Sequence, residues 1–229
     1  TYGDWSSDVC SSDLPFDTEK AFEPITLIGR GPNVLVVRAE SPYKTLEALI
    51  AAARTQPGKL TYASQGNGTS AHLAGEMFTN LAGLAMTHVP YRGAGPAITD
   101  LLGGQVDMIF GTAAAVSSFV ESGKLRALAV TSAQRATAFN EVPAIAESIR
   151  GYQVESWYGL YAPAGTAAAV IAMLNAAAKK AAYSPGFATK IAQEGLSVVA
   201  SDPEELDRYV RAEQARWERI VRENRIKAD

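Results

Sequence analysis

The stretch LTYASQGNGTSAHLAGEMF, Leu60 to Phe78, reads as a strand, a glycine-rich turn and a helix, and it sets the fold class. Leu60 to Ala63 has the apolar and β-branched character of a short buried strand. Ser64 to Ser70 (SQGNGTS) breaks it, because glycines reach backbone angles closed to other residues. From Ala71 the apolar residues Leu73, Met77 and Leu81 recur at helical spacing, and Gly83 ends the run.

The same alternation continues on both sides. Ile25 to Ile28 is a short apolar run followed by a turn signal at Gly29-Arg30-Gly31-Pro32, and Asn33 to Val37 (NVLVV) is a buried-strand candidate. Thr45 caps a helix carrying Leu46, Leu49, Ile50 and Ala53, stopped by Gln56-Pro57-Gly58. Downstream come a strand at Met86–Val89, a turn at Pro90–Gly93 and a helix over Pro96–Leu102. A strand at Val106–Phe110, a helix at Ala113–Glu121 and a strand at Leu125–Thr131 follow. A strand over Tyr152–Trp157 leads to a helix from Thr166 with the stripe Val170, Ile171, Leu174, Ala178. Asp202, Pro203 and Glu205 mark the start of the last helix, whose buried face is Leu206, Tyr209, Val210, Trp217, Ile220 and Val221. Strands alternating with helices predict a mostly parallel sheet covered on both faces.

Composition narrows the function classes. The chain has 229 residues, 47% hydrophobic and 20% charged, with a net charge of −3; no basic run points to a nucleic-acid backbone or an anionic lipid surface. No stretch approaches the ~20 apolar residues of a membrane span. Cys10 is the single cysteine and His72 and His88 the two histidines, so neither an internal disulfide nor a Cys- or His-rich metal site is expected. Thr1 to Leu14 (TYGDWSSDVCSSDL) fits no periodicity and is read as a non-native or disordered tail.

The turn that decides the fold also carries the chemistry. Glycines let backbone approach a ligand, the first N–H groups of a helix lack intrahelical partners, and the helix dipole favours an anion. With the hydroxyls of Ser64, Thr69 and Ser70 as added donors, the turn is a cradle for a carboxylate or phosphate; the plainer alternative is a helix cap without a ligand. Arg92, in the turn after a strand and beside Tyr91 and Gly93, can grip an anion bidentately or lie solvated on the surface. His72 can donate to a ligand or pair with Glu76, four residues on, and the surface pair is the role expected; His88 is expected packed or edge-facing. Gly66-x-Gly68-x-x-Ala71 also fits a dinucleotide fingerprint, but the next strand ends His88-Val89-Pro90-Tyr91-Arg92 without the acidic residue that holds a ribose. Arg92 facing a 2′-phosphate keeps an NADP-dependent oxidoreductase open as an alternative. No nucleophile elbow, zinc-protease motif or P-loop lysine occurs, so catalysis is not expected.

Several long strings together resemble one family. PNVLVV (Pro32–Val37), PGKLTYASQGNGTSAHLAGEMF (Pro57–Phe78), HVPYRGAGPAITDLLGGQVDMIF (His88–Phe110), GKLRALAVTSAQR (Gly123–Arg135) and WYGLYAPAGT (Trp157–Thr166) are similar to the substrate-binding proteins of tripartite tricarboxylate transporters, the Bug family. The resemblance implies an α/β, periplasmic-binding-protein-like (type II) fold of two lobes, the first incomplete. Residues 15–31 and 157–229 would form that partial first lobe, and 32–156 the second. It implies a periplasmic, monomeric protein that captures di- and tricarboxylates or amino acids and passes them to membrane permease subunits, without a cofactor or metal. A ligand-sensing protein docking on a sensor kinase shares the fold. The ligand-binding residues implied are Ser64, Gly66, Asn67, Gly68 and Thr69, then Tyr91, Arg92 and Gly93, and Gly111 with Thr112.

Overall fold

The computed structural model describes residues 18–193 and 195–224, so Thr1–Leu14 and Cys10 lie outside the described residues. In chain order its elements are α1 (Thr18–Ala21), β1 (Phe22–Arg38), α2 (Leu46–Thr55), β2 (Thr61–Ser64), α3 (Ser70–Ala82), β3 (Thr87–Pro90), α4 (Ala94–Leu102), β4 (Met108–Thr112), α5 (Ala113–Glu121) and β5 (Leu125–Val130). Then follow α6 (Ile145–Ser148), β6 (Glu155–Pro163), α7 (Ala168–Ala182), α8 (Pro185–Gln193), β7 (Ser197–Val198) and α9 (Pro203–Asn224).

Two compact units emerge. One holds the chain up to Arg30 with Trp157–Ile191 and Ser197–Asp229; the other holds Gly31–Ser156 and Ala192–Leu196. The five-residue return Ala192–Leu196, which the sequence reading left with the first lobe, belongs to the second unit for a packing reason. Gly195 adopts φ +73° against Ala113 and Phe139, and Gly31 packs on Gly195 O and Leu196.

The second unit is built on the strand order β3-β2-β4-β1-β5. β2 is parallel to both β3 and β4, but β1 runs antiparallel to β4 and β5, so the expectation of a mostly parallel sheet holds only for one side. Val34, Val36, Ala63, Ile109, Val130, Ala97, Ile98, Leu101 and Val116 share one buried core cluster. α3 shows why local sequence yields its element. Thr69 caps it, Gly83 at φ +62° closes it, and Ala71, Ala74, Met77 and Phe78 are buried. Burying Met77 and Phe78 contributes about 1.5–3 kcal/mol each.

In the first unit, β6 and β7 pair with β1. Asn175 of α7 is buried and donates from Nδ2 to Ile25 O (2.7 Å) and Ser201 O (2.9 Å), tying the helix to β1 and to the segment before α9. At α9 half of the expected capping pattern forms, with Asp202 N donating to Glu205 Oε2 at 3.2 Å, while the Asp202 carboxylate pairs with Lys179.

Three readings are corrected. Gly29–Pro32 is no turn but the middle of the 17-residue β1. Its glycines serve close approach: a Cβ on Gly29 would lie 2.7 Å from Ser197 O, and one on Gly31 would lie 2.7 Å from Gly195 O. Pro32 falls between Arg30, paired with Ser197, and Asn33, paired with Thr112, where the ladders change over. The strand expected over Tyr152–Trp157 instead begins at Glu155 and runs to Pro163. Finally, the α7 stripe is not a buried face: Val170 is exposed, and Met173 beside it is 63% exposed.

Candidate functional site

In open α/β sheets a ligand crevice lies outside the carboxyl ends of the parallel strands. Here β2 ends at Ser64 and β4 at Thr112, and each passes into a helix. Gly66 (φ +136°) and Gly68 (φ +73°) shape the first connection. A Cβ on Gly68 would touch nothing within 4 Å, so its glycine answers to backbone conformation rather than to crowding. Thr69 Oγ1 donates to Gly66 O at 2.7 Å and accepts from His72 N at 3.4 Å, locking the turn onto the first turn of α3.

The Tyr91–Gly93 turn is joined to it by backbone bonds. Tyr91 N donates to Ser64 O (3.1 Å) and Gly93 N to Gln65 O (3.2 Å). Tyr91 OH donates to Asp100 Oδ2 at 2.7 Å. Burial, reinforced by the Asp100 hydrogen bond and charge, pushes the Tyr91 phenol up to about 12. Arg92 is exposed, and among the described residues it makes no hydrogen bond or ion pair. Gly93 caps α4 at φ +109°, and Thr112 caps α5; neither start has a side-chain cap bond. Gly111 is buried, where a Cβ would meet Val116 Cγ1 at 2.6 Å. Three helix starts, at Thr69, Gly93 and Thr112, thus stand at the ends of β2, β3 and β4, with their positive dipole ends available to an anion.

Placement differs among the expected residues. Asn67 and Gly68 are exposed, and Gly66, Thr69, Tyr91, Gly93 and Thr112 are half-buried. Ser64 is fully buried; its hydroxyl donates to Gly66 O (3.1 Å), accepts from Gly66 N (3.2 Å) and lies 2.7 Å from His88 Nε2. It holds the turn from beneath. His72 is corrected from a surface residue to a buried one. It keeps Glu76 at 3.8 Å from Nε2, but its ring is 3% exposed and Nδ1 accepts from Gly68 N at 3.2 Å. His72 stacks on His88 (centroids 4.1 Å), which stacks on Tyr62 (4.9 Å), while Tyr62 OH donates to Glu76.

A group of buried polar residues at the same edge escaped the sequence reading. Asn33, Thr131 and Ser156 are buried. Asn33 N donates to Thr131 Oγ1 (2.8 Å), and Thr131 Oγ1 donates to Val154 O (2.6 Å). Asn33 Oδ1 accepts from Ser156 Oγ (3.3 Å) and from Ser70 Oγ (3.5 Å). The available signal was a polar residue heading the apolar run NVLVV. Among the described residues no group of His, Cys, Asp or Glu is placed to hold a metal ion, and no helix is long and apolar enough to cross a membrane. The first unit has a cavity of about 300 Å³ lined by Phe22, Pro24, Tyr161, Asp207, Val210, Arg211 and Gln214.

Comparison with known proteins identifies a family. The family model described as "Tripartite tricarboxylate transporter family receptor" matches residues 8–226. A protein of Pseudomonas sp. (strain P51), described as the UPF0065 protein in the tcbD-tcbE intergenic region, is 38% identical over 94% of this chain; the chain spans 65% of that relative's length. Among solved structures, R. palustris Rpa4515 with adipate is 33% identical with a TM-score of 0.87, covering 91% of this chain and 70% of that one. MatC from Rhodopseudomonas palustris with bound malate is 28% identical with a TM-score of 0.84, covering 94% of this chain and 75% of that one.

Proposed function

The chain belongs to the tripartite tricarboxylate transporter receptor family, and we propose that it is a periplasmic solute-binding protein that captures small dicarboxylates for a tripartite transporter. The observation that carries this reading is the convergence of three helix starts and the Gly66–Gly68 turn at the carboxyl ends of β2, β3 and β4. Each helix start stabilises an anion by about 0.3–1 kcal/mol, more where water is excluded. Arg92 adds a guanidinium able to take a carboxylate with two parallel hydrogen bonds. The solved relatives carry adipate and malate, both dicarboxylates, which supports that ligand class over single-charge or neutral solutes.

The protein's part is capture and release, without bond-breaking; the solute passes to membrane permease subunits, and the binding protein acts as a monomer. Residues Gly66, Asn67, Gly68, Thr69, Arg92, Gly93, Gly111 and Thr112 line the proposed ligand edge, with Ser64 and Tyr91 fixing the two turns. A receptor family gives no support to the dinucleotide alternative. Calorimetric titration with succinate, malate, adipate, citrate, glutamate and aspartate, with adipamide as the uncharged control, tests the proposal. At least one dicarboxylate is expected to bind while adipamide does not. Binding of a neutral solute with no carboxylate response would overturn it.

A further inference from the structure

Asn33 is fully buried, and its Nδ2 has no hydrogen-bond partner. Buried polar groups in folded proteins are almost always paired. Around it, Ser156 Oγ lies 3.3 Å and Ser70 Oγ 3.5 Å from Oδ1, and the two hydroxyls lie 2.8 Å apart. The two hydroxyls and the carboxamide carry four hydrogens but make three contacts with one another. Whichever way the amide is turned, at least one donor is left unspent.

The surplus donor stands where an anion is favoured. Ser70 is the first residue of the 13-residue α3. Asn33 pairs across β1 and β4 with Thr112, which precedes the nine-residue α5 and makes no side-chain cap bond. We propose that Asn33, Ser70 and Ser156 form a donor cluster that binds one carboxylate oxygen of the ligand. Half-buried Ser70 is the mouth of the cluster and Asn33 its buried root. The cluster deepens the dicarboxylate reading and rests on it. With a hydrogen left over beside a helix start, the cluster has a donor to give a carboxylate oxygen.

Calorimetry with adipate on the wild type, Asn33→Leu, Ser70→Ala and the double variant tests the cluster, with the unliganded Tm measured beside it. Each single change is expected to weaken adipate about tenfold or more, the loss of a buried hydrogen bond to a charged group. The double variant should be little worse than either single, because the residues act as one unit. The unliganded Tm of Asn33→Leu should fall only slightly, because the change removes an unpaired NH2 along with the acceptor of two hydroxyls that keep each other as partners at 2.8 Å. Should Asn33→Leu not fold, Ser156→Ala gives the same reading with a smaller change. Affinity within about twofold of wild type in the single variants, or a marked fall in Tm with affinity retained, would overturn the cluster alone. A wild type that binds no dicarboxylate would overturn the carboxylate reading and the cluster with it.

Discussion

Arg92 and Tyr91 are neighbours with opposite situations. Arg92 is exposed and pairs with no other described residue, whereas Tyr91 is tied to Asp100. Arg92→Ala is therefore expected to leave stability within about 0.5 kcal/mol while weakening a dicarboxylate by about 1–2 kcal/mol. Calorimetry and a melting curve on the same sample separate the two effects. Tyr91→Phe should do the reverse in part, costing about 1 kcal/mol of stability through the lost bond to Asp100. The raised phenol, near 12 against an ordinary 10, stabilises the protonated form. Its contribution is full below pH 10 and is lost as pH rises through about 12. A tyrosinate absorbance titration of wild type against Tyr91→Phe should show one fewer group in that alkaline window; the same titration curve for both would contradict the assignment. The glycine turn was legible residue by residue because positive φ and helix capping are local properties. Asn33 was not, because its partner Ser156 lies 123 positions away and burial at that distance leaves no local mark.

α3 and the β2 strand beneath it fit through a missing side chain. Gly75, inside the helix, would place a Cβ 2.1 Å from the Tyr62 ring. Gly75→Ala should accordingly destabilise by about 1–3 kcal/mol despite alanine's better helix propensity, read as a lower urea midpoint with unchanged slope. Stabilisation by that change would mean Tyr62 and the histidine stack beside it can move aside freely. At the start of α6, Glu147 accepts from Arg135 Nε and Nη2 (2.9 Å each) and from Ala144 N (2.9 Å). Those bonds, the Arg135 pair foremost, hold its carboxyl down at about 2 against an ordinary 4.5. The lowered value makes the pair's stabilisation present above pH 4.5 and lost as pH falls through about 2. Both side chains are about half exposed, so the effect is small. In acid unfolding, Glu147→Gln should differ from wild type at pH 6 and converge with it near pH 2; a constant offset would contradict the linkage. Element boundaries of α3 and α5 could be read to within a residue from Ala71, Gly83 and Ala113, but the course of β1 could not. Gly29 and Gly31 look like turn residues until Ser197 and Gly195 come to lie against them.

At the scale of the whole molecule, alternation of strand and helix was enough to foresee helices covering a sheet, since each amphipathic element must cover a sheet face, whereas the two-lobe organisation was implied by the family resemblance. The direction of β1 was not foreseeable, because strand pairing is settled by partners far along the chain. In the first unit Phe22, Tyr158, Leu160, Val170, Met173, Tyr183 and Phe187 remain open to solvent. The α7 stripe read as buried from its periodicity, although the helix packs through Asn175 and Ala182. In the proposed function the helix starts of the second unit receive the ligand's carboxylate. The most direct measurement is an amide-resolved NMR titration of the isotope-labelled chain with malate. The largest shifts are expected on the backbone N–H groups of Gly66–Ser70, Gly93–Ala94 and Thr112–Ala113. Saturable shifts confined to the first unit, with those amides unmoved, would contradict it.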